Sequence, residues 1–126
     1  MNGSQNLYLD LMKRCLTNLI YQDHNILHGH QKPFDEHVRT DGRDWPACAH
    51  TMVGLKRLDN LQFCVEDVLT RGVPGDLMET GVWRGGATIL MRAILKVHGV
   101  TDRCVWAADS FEGLPPPDNR GGNPGV

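Results

Sequence analysis

No apolar run in this chain approaches the roughly 18 residues that a membrane span needs. Met1–Asp10 has no basic stretch leading into an apolar one, so no secretory leader is legible. Charge of one sign is lacking too. Thirteen Lys and Arg face 15 Asp and Glu, a formal net charge of −2, which leaves no basic footprint for nucleic acid. Cysteine is sparse: Cys15, Cys48, Cys64 and Cys104 include no Cys-x-x-Cys pair, which excludes a disulfide scaffold and opposes a zinc site. They read as reduced thiols of a cytoplasmic protein, with Cys15, Cys64 and Cys104 acting as small hydrophobes. His24, His28 and His30 lack helical signals and a nearby fourth ligand, so no metal ligands are assigned.

What is present is ordinary globular material. The 126 residues are 40% apolar and 22% charged, enough for one domain with a real core. Leu9, Met12, Leu16, Leu19 and Ile20 recur at helical steps and predict a helix over 8–21. Residues 22–46 show no period and read as a long loop or arm. Leu55, Leu58, Leu61, Val65, Val68 and Leu69 predict a second helix from Thr51, as N-cap, to about Thr70. Asp76–Val82 reads as a strand. Gly85-Gly86 opens a helix with Ala87, Ile89, Leu90, Ala93, Ile94 and Val97 at its spacing, and Gly99 stops it. Cys104–Ala108 is a continuous apolar run, the pattern of a strand buried on both faces. Pro115–Pro117 and Gly121–Gly125 extend neither helix nor sheet.

A strand, a glycine turn, a helix and an apolar strand make a right-handed βαβ unit. The fold class is therefore α/β, the opening of a doubly wound sheet behind N-terminal helices. Residues 1–46 form a helix and an arm or lid, 47–118 the cofactor-binding helix and the βαβ start, and 119–126 an irregular tail. Two strands are fewer than the four to six of most sheets, so the pattern reads as incomplete.

Ligands of such sheets bind at the carboxyl ends of the strands. There stand Glu79-Thr80-Gly81-Val82-Trp83-Arg84-Gly85-Gly86 and Asp109-Ser110. A carboxylate ending the second strand can accept both ribose hydroxyls of an adenosine. Asp109 lies 28 residues after Gly81, compatible with that role across a longer helix. A dinucleotide fold wants Gly-x-Gly-x-x-Gly, but Trp83 takes the middle position and leaves little room for a pyrophosphate. S-adenosylmethionine has no pyrophosphate, and Glu79 suits its cationic amine or sulfonium. The glycine order thus favours S-adenosylmethionine over a nicotinamide dinucleotide.

The Glu79–Gly86 block and Val105–Pro117 resemble the macrocin O-methyltransferase family. So do Trp45-Pro46, His50–Leu55 and Arg57–Leu61, and the likeness covers nearly all of residues 8–118. It implies a class I methyltransferase (Rossmann-like) fold that binds S-adenosylmethionine and methylates a sugar hydroxyl on a macrolide or related small molecule. It places cofactor contacts on Thr51 and Met52, on Glu79 through Gly86 (Glu79, Thr80, Gly81, Trp83, Arg84, Gly85 and Gly86 among them), and on Asp109 and Ser110. Family members run on past this chain's last residue, through further strands that carry magnesium aspartates and the acceptor pocket. The expectations are accordingly a donor-binding half, no catalytic residue to name, magnesium implied but without ligands here, and no turnover by these 126 residues alone. An inactive remnant that binds cofactor or a partner chain, and a nucleotide-dependent oxidoreductase, are the rival readings. The first helix is a candidate for contacts between copies.

Overall fold

Asn2 starts the first helix. Its side chain accepts from the Gln5 amide, and the Gln5 side chain accepts from the Asn2 amide, at 2.9 and 2.8 Å. This reciprocal cap satisfies donors that a helix start otherwise leaves unpaired. The computed structural model describes residues 2–116 and begins helix α1 at Gly3–Leu16, five residues ahead of the expected start. α1 also ends earlier than Tyr21. The Thr17 hydroxyl donates to Lys13 O, and Asn18 takes φ 53, a left-handed conformation that Asn tolerates.

The expected loop over 22–46 is folded. Strands β1 (Asn25–Leu27) and β2 (His30–Lys32) pair antiparallel across His28 and Gly29, both at positive φ as a two-residue hairpin turn requires. Helix α2 (Glu36–Asp41) follows, capped by the Asp35 carboxylate on the Val38 amide and ended by Gly42 at φ 68. These elements are too short to show a period, which is why the pattern hid them.

Helix α3 spans Gly54–Thr70, so Thr51 is not its N-cap. Leu9 and Leu16 of α1 pack with Leu58 and Val65 of α3, and with Leu90, Met91, Ala93 and Ile94 of helix α4 (Gly86–Val97). The Lys13 ammonium bridges α1 to Asp59 of α3 at 2.6 Å. Strands β3 (Leu77–Thr80) and β4 (Val105–Ala108) pair in parallel, Leu77 opposite Val105 and Thr80 opposite Ala108, with α4 as the crossover. Gly99 follows α4 in the left-handed conformation, as expected.

Two further expectations fail. β4 is not buried on both faces: Trp106 is 54% exposed and lies opposite Met78, 61% exposed. Among the described residues β3 is its one partner strand, and α4 covers one side only. The cysteines are all free and exposed rather than packed as hydrophobes. Among the described residues no helix is long and apolar enough to cross a membrane. The expected 119–126 tail lies outside the described residues.

Candidate functional site

The chain turns sharply where β3 ends. Gly81 (φ 75), Trp83 (φ 51) and Gly85 (φ 87) all take left-handed backbone, and the Gly85 amide closes on Val82 O at 3.0 Å. A left-handed Trp carries a steric cost of about 1–2 kcal/mol, so its surroundings must hold it there. The Arg84 guanidinium lies 4.1 Å over the Trp83 ring, and Trp45 meets that ring edge-on at 6.0 Å.

Asp109, at the end of β4, closes the turn from the other side. Its Oδ2 accepts from the Val82 amide at 2.8 Å and its Oδ1 from the Phe111 amide at 3.1 Å. These backbone donors, Val82 foremost, hold the carboxyl below the usual carboxylate range. The Ser110 and Trp83 amides act in the same sense.

Residues 46–51 form a strap across the turn. Arg84 Nη1 donates to Pro46 O and Ala49 O at 3.1 and 3.0 Å. The Gly86 amide donates to His50 O at 2.9 Å, and the amides of His50 and Thr51 donate to Leu16 O. The fit is close: a Cβ on Gly86 would stand 2.6 Å from His50 O and from Thr51 Cβ. Gly85, by contrast, faces open space.

Two recesses share Gly81 and Trp83 in their walls. The smaller, about 90 Å³, lies between strap and turn, with His50, Thr51, Met52, Val53 and Glu79 in its wall beside Val82 and Ala87. Burial there pushes the Glu79 carboxyl up, against the opposing Thr88 hydroxyl at 3.4 Å. The larger and more open recess, about 470 Å³, is lined beyond the shared pair by Asp109, Phe111, Gly113 and Leu114. A half-buried carboxylate can hold a compact cation in the first, and the ionised Asp109 carboxylate can accept from hydroxyls in the second.

Of the residues named from the sequence, Thr51, Met52, Glu79, Gly81, Trp83 and Asp109 therefore line the recesses. Thr80 is exposed at the end of β3, and Ser110 is exposed with its hydroxyl accepting from the Glu112 amide. Arg84 gives its Nη1 to the strap and is otherwise exposed, and Gly86 is buried under the strap. His50, Val53, Phe111 and Leu114 were missed. Phe111 and Leu114 carried a signal, since they follow Asp109-Ser110 directly. His50 and Val53 had none beyond their neighbours. Among the described residues no three His, Cys, Asp or Glu side chains group to hold a metal.

Comparison with known proteins bears on this geometry. The family model described as macrocin-O-methyltransferase (TylF) matches residues 24–123. A Streptomyces olivaceus protein, 8-demethyl-8-(2,3-dimethoxy-alpha-L-rhamnosyl)-tetracenomycin-C 4'-O-methyltransferase, is 65% identical over 89% of this chain and 43% of its own length. Demethyldecarbamoylnovobiocin O-methyltransferase of Streptomyces niveus is 57% identical over 90% of this chain and 45% of its own. The solved structure of the O-methyltransferase NovP superposes with a TM-score of 0.83 at 56% identity, over 93% of this chain and 47% of that one. The chain thus spans less than half the length of the curated relatives described here.

Proposed function

Because the chain belongs to the macrocin O-methyltransferase family, we propose that it forms the methyl-donor part of an S-adenosylmethionine-dependent O-methyltransferase acting on a hydroxyl of a sugar-bearing small molecule. The rhamnosyl group in one relative's name supports that acceptor class. The proposed architecture is the opening of a class I, Rossmann-like sheet, supported by the parallel β3–α4–β4 unit and by the likeness to NovP.

The observation that carries the reading is the half-buried Glu79 carboxylate in one recess with Thr51 and Met52, whose wall shares Gly81 and Trp83 with the Asp109 recess. S-adenosylmethionine supplies, when bound, a methyl group on a cationic sulfur. Glu79 would hold the cationic end, and Thr51 and Met52 would wall it from solvent. Gly81 and Trp83 would form the saddle between the recesses, and the Asp109 carboxylate would take the ribose hydroxyls. This orders the donor, which is what direct displacement requires of a protein that does not itself form a bond to the methyl group. The described residues offer no base to name. Among the described residues no three carboxylate, imidazole or thiol side chains group to hold magnesium.

A dinucleotide is the poorer fit. Pyrophosphate binding uses free amides at a helix N-terminus, and the first amide of α4, Gly86, is already donated to His50 O. Calorimetric titration with S-adenosylhomocysteine, repeated in excess NAD, tests the reading. One site per chain, undiminished by NAD, is expected. Displacement by NAD would return the oxidoreductase alternative.

A further inference from the structure

Arg39 is charged, 1% exposed and outside both recesses. Its fork is filled. Nε donates to Asp44 Oδ2 at 2.7 Å, Nη1 to Asp23 Oδ1 at 2.7 Å and to Thr17 O at 2.9 Å, and Nη2 to Asp23 O at 3.0 Å. Burying such a group is costly, and well-packed apolar side chains often serve stability as well. The network therefore raises the question of what it holds.

The second oxygen of Asp23 answers it. Asp23 Oδ2 accepts from the amides of Cys48 and Ala49, at 2.7 and 3.3 Å. The carbonyl of that same Ala49 accepts from Arg84, and the next carbonyl, His50 O, accepts from Gly86. An unbroken line of hydrogen bonds thus runs from Arg39 through Asp23 and the strap to the glycine turn. Burial works against ionising Asp23, yet Arg39, the Cys48 amide and Asn18 together hold its carboxyl below the usual range. The ionised form is the one that grips the strap.

We propose that Asp23, oriented by Arg39, is a positioning residue for the donor site: it sets the strap, and through the strap it sets Thr51, Met52 and the glycine turn. Its functional half rests on the donor-site reading above; its mechanical half does not. A purely structural ion pair is available for contrast. Lys13 and Asp59 join α1 to α3 at 2.6 Å and line neither of the two recesses.

The test compares Asp23→Asn with Asp59→Asn in the full chain, by amide hydrogen exchange and by S-adenosylhomocysteine titration. In Asp23→Asn the Gly86 amide should exchange at least about tenfold faster, while the Leu90 and Ile94 amides change only as far as global stability does. Ligand affinity should fall by about tenfold, with little further loss when Arg84→Met is added, because both act through one strap. Asp59→Asn should lower the unfolding midpoint yet leave Gly86 exchange and affinity within about twofold. Arg39→Lys, which keeps the charge and loses the fork, provides the same contrast if Asp23→Asn does not fold. Unchanged Gly86 protection in a folded Asp23→Asn or Arg39→Lys variant overturns the proposal, as does an equal change in Asp59→Asn. Failure of the unmodified chain to bind would fall on the donor-site reading alone, since the exchange comparison still decides the mechanical claim.

Discussion

Gly86→Ala would place one methyl group where the strap already lies. The added carbon would stand 2.6 Å from His50 O and from Thr51 Cβ. Ordinary contact between carbon atoms lies near 3.5–4 Å, so the strap must retreat by something like an ångström. The retreat stretches the 2.9 Å bond from the Gly86 amide to His50 O. Overpacking costs about 1–3 kcal/mol and a weakened buried hydrogen bond about 0.5–1.5 kcal/mol. The better helix preference of Ala returns less than about 1 kcal/mol at this terminal position. A net loss of about 1–3 kcal/mol is expected in urea unfolding, together with a clear loss of S-adenosylhomocysteine affinity, because Thr51 moves with the strap. Gly85→Ala is the control. Its cost is the left-handed φ of 87 alone, about 1–2 kcal/mol, with open space around the new methyl. It should therefore destabilise comparably and disturb binding less. An unfolding midpoint and an affinity both unchanged in Gly86→Ala would show that the strap does not press on Gly86.

Glu79→Gln should move stability and binding in opposite directions. The raised folded-state pKa means that Glu79 favours the fold below its ordinary value of 4.5, and that this contribution is lost as pH rises through the raised value. At pH 7 the neutral variant should thus be the more stable chain in thermal unfolding, while S-adenosylhomocysteine affinity drops about tenfold. In the unmodified chain that affinity should climb as pH rises through the Glu79 transition, and the climb should vanish in Glu79→Gln; a slope retained there would assign it elsewhere. Asp109→Ala should weaken the nucleoside ligand by at least about tenfold. It should also weaken free methionine to a smaller degree, because Val82 loses its acceptor when the carboxylate goes. Equal losses for both ligands, read by calorimetry, would confine Asp109 to the turn. Arg84→Met should cost about 1–2 kcal/mol in urea unfolding through its two strap carbonyls; no loss would mean the strap is held without it.

The βαβ unit was legible because its signals are strong and local. Gly85-Gly86 opens α4, Gly99 closes it, and the apolar steps between them have one reading. The recess residues were legible through the glycine turn and the family likeness, not through spacing alone. Three things were not legible. The Asn2–Gln5 cap lies ahead of the apolar period, so α1 was read too late. The hairpin and α2 are only a few residues each, so no periodicity could form. The Asp23–Arg39–Asp44 network joins positions 16 and 5 residues apart in that same segment, a relation that only tertiary packing creates. Arg84 illustrates a subtler limit. Its place in the turn suggested a ligand contact, and the sequence does not show that its Nη1 also ties two carbonyls of a strap nearly 40 residues away.

One ligand is expected to span both recesses across Gly81 and Trp83. Amide shift mapping with S-adenosylhomocysteine checks this. Saturation should move Thr51, Met52, Glu79, Gly81 and Trp83 together with Asp109 and Phe111, at a single affinity, and should leave the hairpin at His28–His30 unchanged. Shifts confined to one recess, or none at saturating ligand in a folded chain, would contradict it.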